Sequence, residues 1–167
     1  MVKRVLAGDQ NAYAGLVERY QDRAVSVALA MCGDPDTARD LAQDAFITAY
    51  TSLGKLAEPA KFAPWLWGIL RNICRRHISR GNPRAASLDN GSVAEPQAPP
   101  ENSQVEMISV LQTVAEPHRE VLAAKYLLDM DYEDIAQMLG ISVNNVRVRC
   151  CRAREALRQA LAAQGGV

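Results

Sequence analysis

Two runs of this chain concentrate side chains that bind phosphate. Between Arg71 and Arg84 there are five arginines, one histidine and no acid; between Val143 and Arg158 there are five more arginines against the single Glu155. Guanidinium groups at that density neutralise a nucleic-acid backbone, and those near a helix N-terminus reach base edges. Trp65 and Trp67 lead into the first run; core packing is the favoured reading for Trp65, while for Trp67 core packing and stacking of its ring on an unpaired base beside the cations are nearly balanced. From Asp34 to Asp44 the balance reverses, with four aspartates against Arg39, a surface suited to a basic partner. With 19 basic and 19 acidic side chains the net charge is zero, so these patches act locally. Acid–base or nucleophilic catalysis finds no comparable constellation. His77 and His118 lie in different halves without a matched nucleophile or carboxylate pair, which argues against an enzyme. Cys32, Cys74, Cys150 and Cys151 show no CxxC spacing and no paired histidines, so neither zinc nor any cofactor is implied. Cys150 and Cys151 are neighbours, a poor geometry for a disulfide in a helix.

The elements that must present these residues read as helices throughout. The 167 residues are 49% hydrophobic but only 5% aromatic, rich in Ala and Leu, and no stretch alternates with period two. Tyr13, Leu16, Val17, Tyr20, Ala24, Val27, Ala28 and Met31 recur at three- and four-residue steps, a long amphipathic helix that Gly33 ends. Asp34 and Pro35 then supply an N-cap and a proline at the first helical position. The second helix runs to about Leu53 and buries Ala38, Leu41, Ala45, Ala49 and Leu53. After a loop with Gly54, Pro59 and Pro64, a third helix begins near Trp65 and continues to about Arg80, burying Leu66, Ile69, Leu70, Ile73 and Ile78. The stretch from Ser87 to Ser103 holds Pro96, Pro99, Pro100 and Gly91 with little to bury, the composition of a flexible tether. The expected organisation is therefore all-α: a helical domain over 1–83, a linker over 84–103 and a second helical domain over 104–167. Helices are expected around 104–114, 117–128, 132–139 and 143–162. No signal peptide is evident and no apolar run approaches the roughly 18 residues that span a bilayer, so a cytoplasmic, reduced protein is expected.

The end of the chain carries the sharpest local pattern. Asp131 and Asp134 stand at N-cap and N3 spacing, a variant capping box. Ile135, Ala136 and Leu139 make one turn of core, Gly140 supplies a positive φ, Ile141 plugs the turn, Ser142 caps the next helix and Val146 packs inward. This is a helix-turn-helix, whose second helix puts its first side chains against bases and later arginines against phosphates. An ordinary helical hairpin with a solvated arginine face would match the charge but not the turn. DNA contact is therefore expected from Ser142, Asn144, Asn145, Arg147, Val148, Arg149, Arg152 and Arg154.

Three segments in this order, Ala38-Arg39-Asp40-Leu41-Ala42-Gln43-Asp44-Ala45-Phe46, Trp65-Leu66-Trp67-Gly68-Ile69-Leu70-Arg71-Asn72 and the terminal helix-turn-helix ending Arg152-Ala153-Arg154, resemble the extracytoplasmic-function sigma factors of bacterial RNA polymerase. The resemblance covers nearly the whole chain. It implies sigma regions 2 and 4 joined by a linker, a chain that starts on helix one, and an alternative sigma factor directing promoter-specific transcription initiation on core polymerase. It implies that Asp40, Leu41, Gln43, Asp44 and Phe46 dock on the β′ clamp helices, and that apolar residues of region 4 meet the β flap. It implies that Lys55, Lys61, Trp67, Arg71, Asn72, Arg75, Arg76 and Arg80 flip and grip the −10 element, while the recognition helix reads the −35 duplex. An anti-sigma protein would be a further partner. This sequence departs from the family pattern in three places: Arg39 replaces a usual acid, Val114-Ala115 replaces Leu-Pro ahead of Pro117, and Asn144-Asn145-Val146-Arg147-Val148-Arg149 replaces Gly-Thr-Val-Lys-Ser-Arg. Asp40, Asp44, Thr48 and Thr51 share a helix face, so phosphate placed on Thr48 or Thr51 by a Ser/Thr kinase would restore about −1.5 to −2 of charge. A conventional helix-turn-helix regulator would instead dimerise and bind duplex without polymerase, and a sigma mimic would have lost DNA contact.

Overall fold

The computed structural model describes residues 1–81 and 103–165. Among these every element is helical: α1 (Val2–Leu6), α2 (Gln10–Cys32), α3 (Pro35–Ser52), α4 (Phe62–Gly81), α5 (Ser103–Leu111), α6 (Glu116–Tyr126), α7 (Tyr132–Leu139) and α8 (Val143–Gly165), with 3-10 turns at Leu53–Lys55 and Pro59–Lys61. The tether expected over 84–103 lies, except for Ser103, outside the described residues.

Local chemistry places the helix ends. Gly33, left-handed at φ 78°, closes α2 and donates to the Leu29 carbonyl. The next residue, Asp34, caps α3 by accepting from the Thr37 N–H at 2.8 Å, and Pro35 fills a position whose N–H would be orphaned. The two-residue turn folds α3 back on α2. Alanines line the seam: Ala24, Ala28, Ala38, Ala45 and Ala49 are fully enclosed, so the backbones approach closely.

The third helix begins at Phe62, three residues earlier than expected. Pro64 does not prevent this, because the third residue of a helix has no intrahelical acceptor for its N–H. The buried stripe is also turned relative to the expected one, because α4 packs against α2 and α3 on one side and α7 on the other. Phe62, Leu66, Trp67, Leu70, Ile73 and Cys74 face inward, while Ile69, Ile78 and Trp65 are only half-buried.

In the second half α6, α7 and α8 form the helix-turn-helix, with Leu122, Ile135, Val146 and Ala153 at its centre. The two halves touch. α2 packs on α5 and α6, α4 packs on α7, and one continuous apolar cluster runs through both. Gln112 Nε2 donates to the Leu29 carbonyl at 3.0 Å. Arg119 lies in the seam and donates to four carbonyls: Leu111, Gln112 and Val114 beside it, and Met31 at the end of α2. Burial works against its positive charge, and the carbonyls at two helix C-termini offset that cost.

Candidate nucleic-acid interfaces

The helix-turn-helix is built as its residues predict. Asp131 accepts from the Asp134 N–H at 2.7 Å, Gly140 is left-handed at φ 67°, and Ser142 Oγ accepts from the Asn145 N–H at 3.2 Å. The reciprocal half of the capping box is absent, because the Asp134 carboxylate instead takes Lys61 Nζ at 2.8 Å. With Val146 and Cys150 turned inward, α8 presents Asn144, Asn145, Arg147, Val148, Arg149, Cys151 and Arg152 to solvent. Two polar amides at the N-terminal end followed by cations suit base edges and then phosphates.

Arg154 is placed differently. Its Nη2 donates to the Tyr132 hydroxyl at 3.1 Å, and its Nε is buried with no hydrogen-bond partner. It ties α8 to α7 rather than standing free for phosphate. The same Tyr132 ring lies 5.7 Å from the Arg147 guanidinium and 4.9 Å from Lys125 Nζ, within cation–π range. Sequence reasoning missed Tyr132. An aromatic residue at the first position of the helix preceding an arginine-rich one was its available signal.

On α4 the expected strand-binding residues separate into two groups. Asn72, Arg75, Arg76 and Arg80 are exposed and line a groove with Ile69, Ser79 and, from α3, Thr48. Arg71 is instead ion-paired with Glu120 of α6; the two side chains are 17% and 11% exposed, and Arg71 Nη2 lies 3.5 Å from Glu120 Oε2. Arg75 belongs to both groups: it lines the groove, stays 53% exposed, and lies 3.8 Å from Glu116. Lys55 is exposed. Trp67 does not present its ring: it is 3% exposed and packs edge-on against Tyr20 at a centroid distance of 5.8 Å. Its place in the turned stripe of α4 makes it a core residue.

On α3, Asp40, Gln43 and Asp44 are exposed as expected, but Leu41 and Phe46 are each 6% exposed. Those two pack on the seam toward α2 and α4, and Leu41 also reaches the wall of a groove with Asp44, Ile47 and Ile73. The exposed face includes two apolar residues that sequence reasoning left out, Ile47 and Tyr50, at 55% and 44% exposure. Both fall on the open face set by the aspartate spacing, which was the signal for them. Arg39 pairs with Asp36 at 2.9 Å, so it cancels one of the acids of this face. Thr48 and Thr51 are exposed, and Thr51 Oγ1 donates back to the Ile47 and Thr48 carbonyls.

A helical half with a basic groove and an acidic face, followed by a helix-turn-helix, is the arrangement of a DNA-reading protein in two parts. Residues 16–84 match the family model for sigma-70 region 2, and residues 104–157 match that for sigma-70 region 4. The chain is 30% identical to the ECF RNA polymerase sigma factor SigW of Bacillus subtilis, across 96% of this chain and 94% of that protein. It is 31% identical to the probable RNA polymerase sigma factor RfaY of Xanthomonas campestris pv. campestris over 93% of this chain, and spans 42% of that protein's length. The solved structure of CnrH in complex with the cytosolic domain of CnrY superposes with a TM-score of 0.75 at 26% identity, over 97% of this chain and 95% of that one. The chain belongs to the extracytoplasmic-function sigma factors.

Proposed function

We propose that this alternative sigma factor directs promoter-specific transcription initiation by dividing the promoter between its halves, 1–83 holding the melted −10 strand and 104–167 reading the −35 duplex. The observation that carries the reading is the open face of α8, with Asn144, Asn145, Arg147, Arg149 and Arg152 presented by a capped turn. Asn72, Arg76 and Arg80 line the strand groove, joined by Lys55, Lys61, Arg71 and Arg75. Strand capture in this chain rests on cations and amides, since both its helix-forming tryptophans turn inward or lie half-covered. The −10 base is flipped at a cost of a few kcal/mol, which the grip must offset.

Core polymerase docks on α3 through Asp40, Gln43, Asp44, Ile47 and Tyr50, an acidic face with an apolar centre. Region 4 meets the polymerase a second time through its apolar surface at the β flap. The protein works in the cytoplasm and has no catalytic site of its own; among the described residues no helix is long and apolar enough to cross a membrane. Control by an anti-sigma protein would act on these same surfaces. Phosphate on Thr48 would lie in the groove with Arg76 and Arg80, so it would fill the strand site as well as charge α3.

The test is in vitro transcription with core polymerase and a genomic promoter pool. Promoter-specific product that Arg149→Ala/Arg152→Ala abolishes is expected. Duplex binding by the protein alone, with no polymerase-dependent product, would make it a conventional repressor or activator.

A further inference from the structure

Among the described residues the three ion pairs between the halves all run in one direction. Lys61, Arg71 and Arg75 come from the first half; Asp134, Glu120 and Glu116 come from the second. These cations, Lys61 just before α4 and Arg71 and Arg75 in its middle, are three of those the strand-binding reading uses, and the inference rests on that reading. Only the Arg71–Glu120 pair is largely covered, since Arg75 and Lys61 stay 53% and 44% exposed; the rest of the site, Lys55, Asn72, Arg76 and Arg80, has no carboxylate from the second half within ion-pair distance among the described residues. The duplex-reading face of α8 is uncovered as well.

We propose that Glu116, Glu120 and Asp134 form an acidic edge that competes in cis with the −10 strand, so that strand capture and separation of the two halves are one coupled event. A carboxylate and a phosphate offer the same recognition to a guanidinium, two anionic oxygens in the plane of its fork. Arg71 and Glu120 exclude most water from each other, and breaking such a pair is unfavourable unless another anion replaces the one withdrawn. The strand phosphates are that anion. The other cross-half contacts, Gln112 to Leu29 and Arg119 to Met31, hold the edge in register without using any strand-binding group. Coupling is reciprocal: whatever separates the halves raises strand affinity, and strand binding by the same factor favours separation.

The experiment uses the full chain and a Glu116→Gln/Glu120→Gln/Asp134→Asn variant. A control of equal charge change carries Glu18→Gln/Asp22→Asn/Glu106→Gln, all exposed and outside these pairs. Radius of gyration by X-ray scattering reads separation, and fluorescence anisotropy reads binding to a labelled single-stranded −10 oligonucleotide and to a −35 duplex. The latch variant is expected to expand and to bind the single strand about tenfold more tightly, because apparent affinity scales with the competent fraction. Its duplex affinity should stay within about twofold of the parent. The oligonucleotide alone should expand the parent chain. An equal gain by the control variant, or expansion without any gain in strand affinity, overturns the proposal. Placing Arg71→Ala/Arg75→Ala on the latch variant separates the two ideas. If strand binding then falls, the −10 reading stands by itself; if it is unmoved, that reading fails and the proposal with it. Should the latch variant not fold, charge reversal decides. Glu120→Arg alone should expand the chain, and Glu120→Arg with Arg71→Glu should return it to the compact radius; a radius indifferent to both overturns the proposal.

Discussion

The two basic helices, α4 and α8, carry similar arginine-rich runs and meet opposite fates. On α8 the inward positions are taken by Val146, Cys150 and Ala153, and Asn144, Arg147, Arg149 and Arg152 are left to solvent. On α4 the inward stripe is wider, and Arg71 at its margin falls against another part of the chain. The difference lies in what packs across each helix, since propensity and charge are alike. α8 packs against its own half alone, on α5, α6 and α7, and keeps one face open; α4 lies between α2 and α3 on one side and the second half on the other, and lends part of its face to that neighbour. Counting arginines therefore overstates the free cations of α4 and is close to correct for α8, Arg154 excepted.

Cutting either core has the largest expected effect. Leu66→Ala in the first half and Ile135→Ala in the second, both fully buried, should each cost about 2–5 kcal/mol. Because one apolar cluster spans both halves, each substitution is expected to shift a single thermal transition followed by circular dichroism. Two separate transitions, only one of them moved, would show that the halves fold independently.

A smaller effect distinguishes base-reading from positioning on α8. Asn145→Ala should change base preference in a randomised −35 pool and cost about 1–3 kcal/mol at the base it reads. Arg152→Ala should weaken all duplexes alike and reduce the salt slope by about one. Arg154→Ala should lower thermal stability while leaving that slope unchanged, as its guanidinium is committed to Tyr132.

Tyr132→Phe sharpens the same point at lower cost. It keeps the ring beside Arg147 and Lys125 but removes the hydroxyl that accepts from Arg154. A stability loss of about 0.5–1.5 kcal/mol is expected by denaturant titration, with duplex affinity nearly kept; Tyr132→Ala should lose affinity too.

The smallest stability effect concerns α3. The exposed Arg39–Asp36 pair contributes about 0–1 kcal/mol, so Arg39→Glu should barely move the melting temperature. It should nevertheless tighten binding to core polymerase, measured by competition against a labelled sigma factor, because it turns the only cation of that face acidic. Thiol labelling gives a last check on facing. Burial pushes the Cys74 thiol up to about 12 and raises that of Cys150, whereas Cys151 is exposed on the reading face. At neutral pH Cys151 should label first, and its adduct should block duplex binding.

Much of the site was legible without the structure, and the legible parts share a range. Asp34, Asp131 and Ser142 each satisfy a backbone N–H three residues on, and Gly33 and Gly140 adopt the left-handed conformation their positions demand. The exposed cations of α8 followed from the same periodicity. What was not legible was decided at a distance or by a small rotation. Trp65 and Trp67 differ by two positions, about 200° around the helix, and the packing of α4 on α2, which sets Trp67 against Tyr20, settled which one is enclosed. Leu41 and Phe46 carry a family motif, yet the seam with α2 and α4 claims them.

By itself the sequence determined that this chain is helical, that it ends in a helix-turn-helix, and that its charges gather into one acidic and two basic patches. Caps, turn glycines and amphipathic spacing act within about one helical turn, so the residues that set them are written side by side. Tertiary structure alone decided that Arg71 meets Glu120, 49 positions away, and that Lys61 meets Asp134, 73 away. Such partners are chosen by how whole helices pack, and packing energy is summed over many side chains. No single residue announces them.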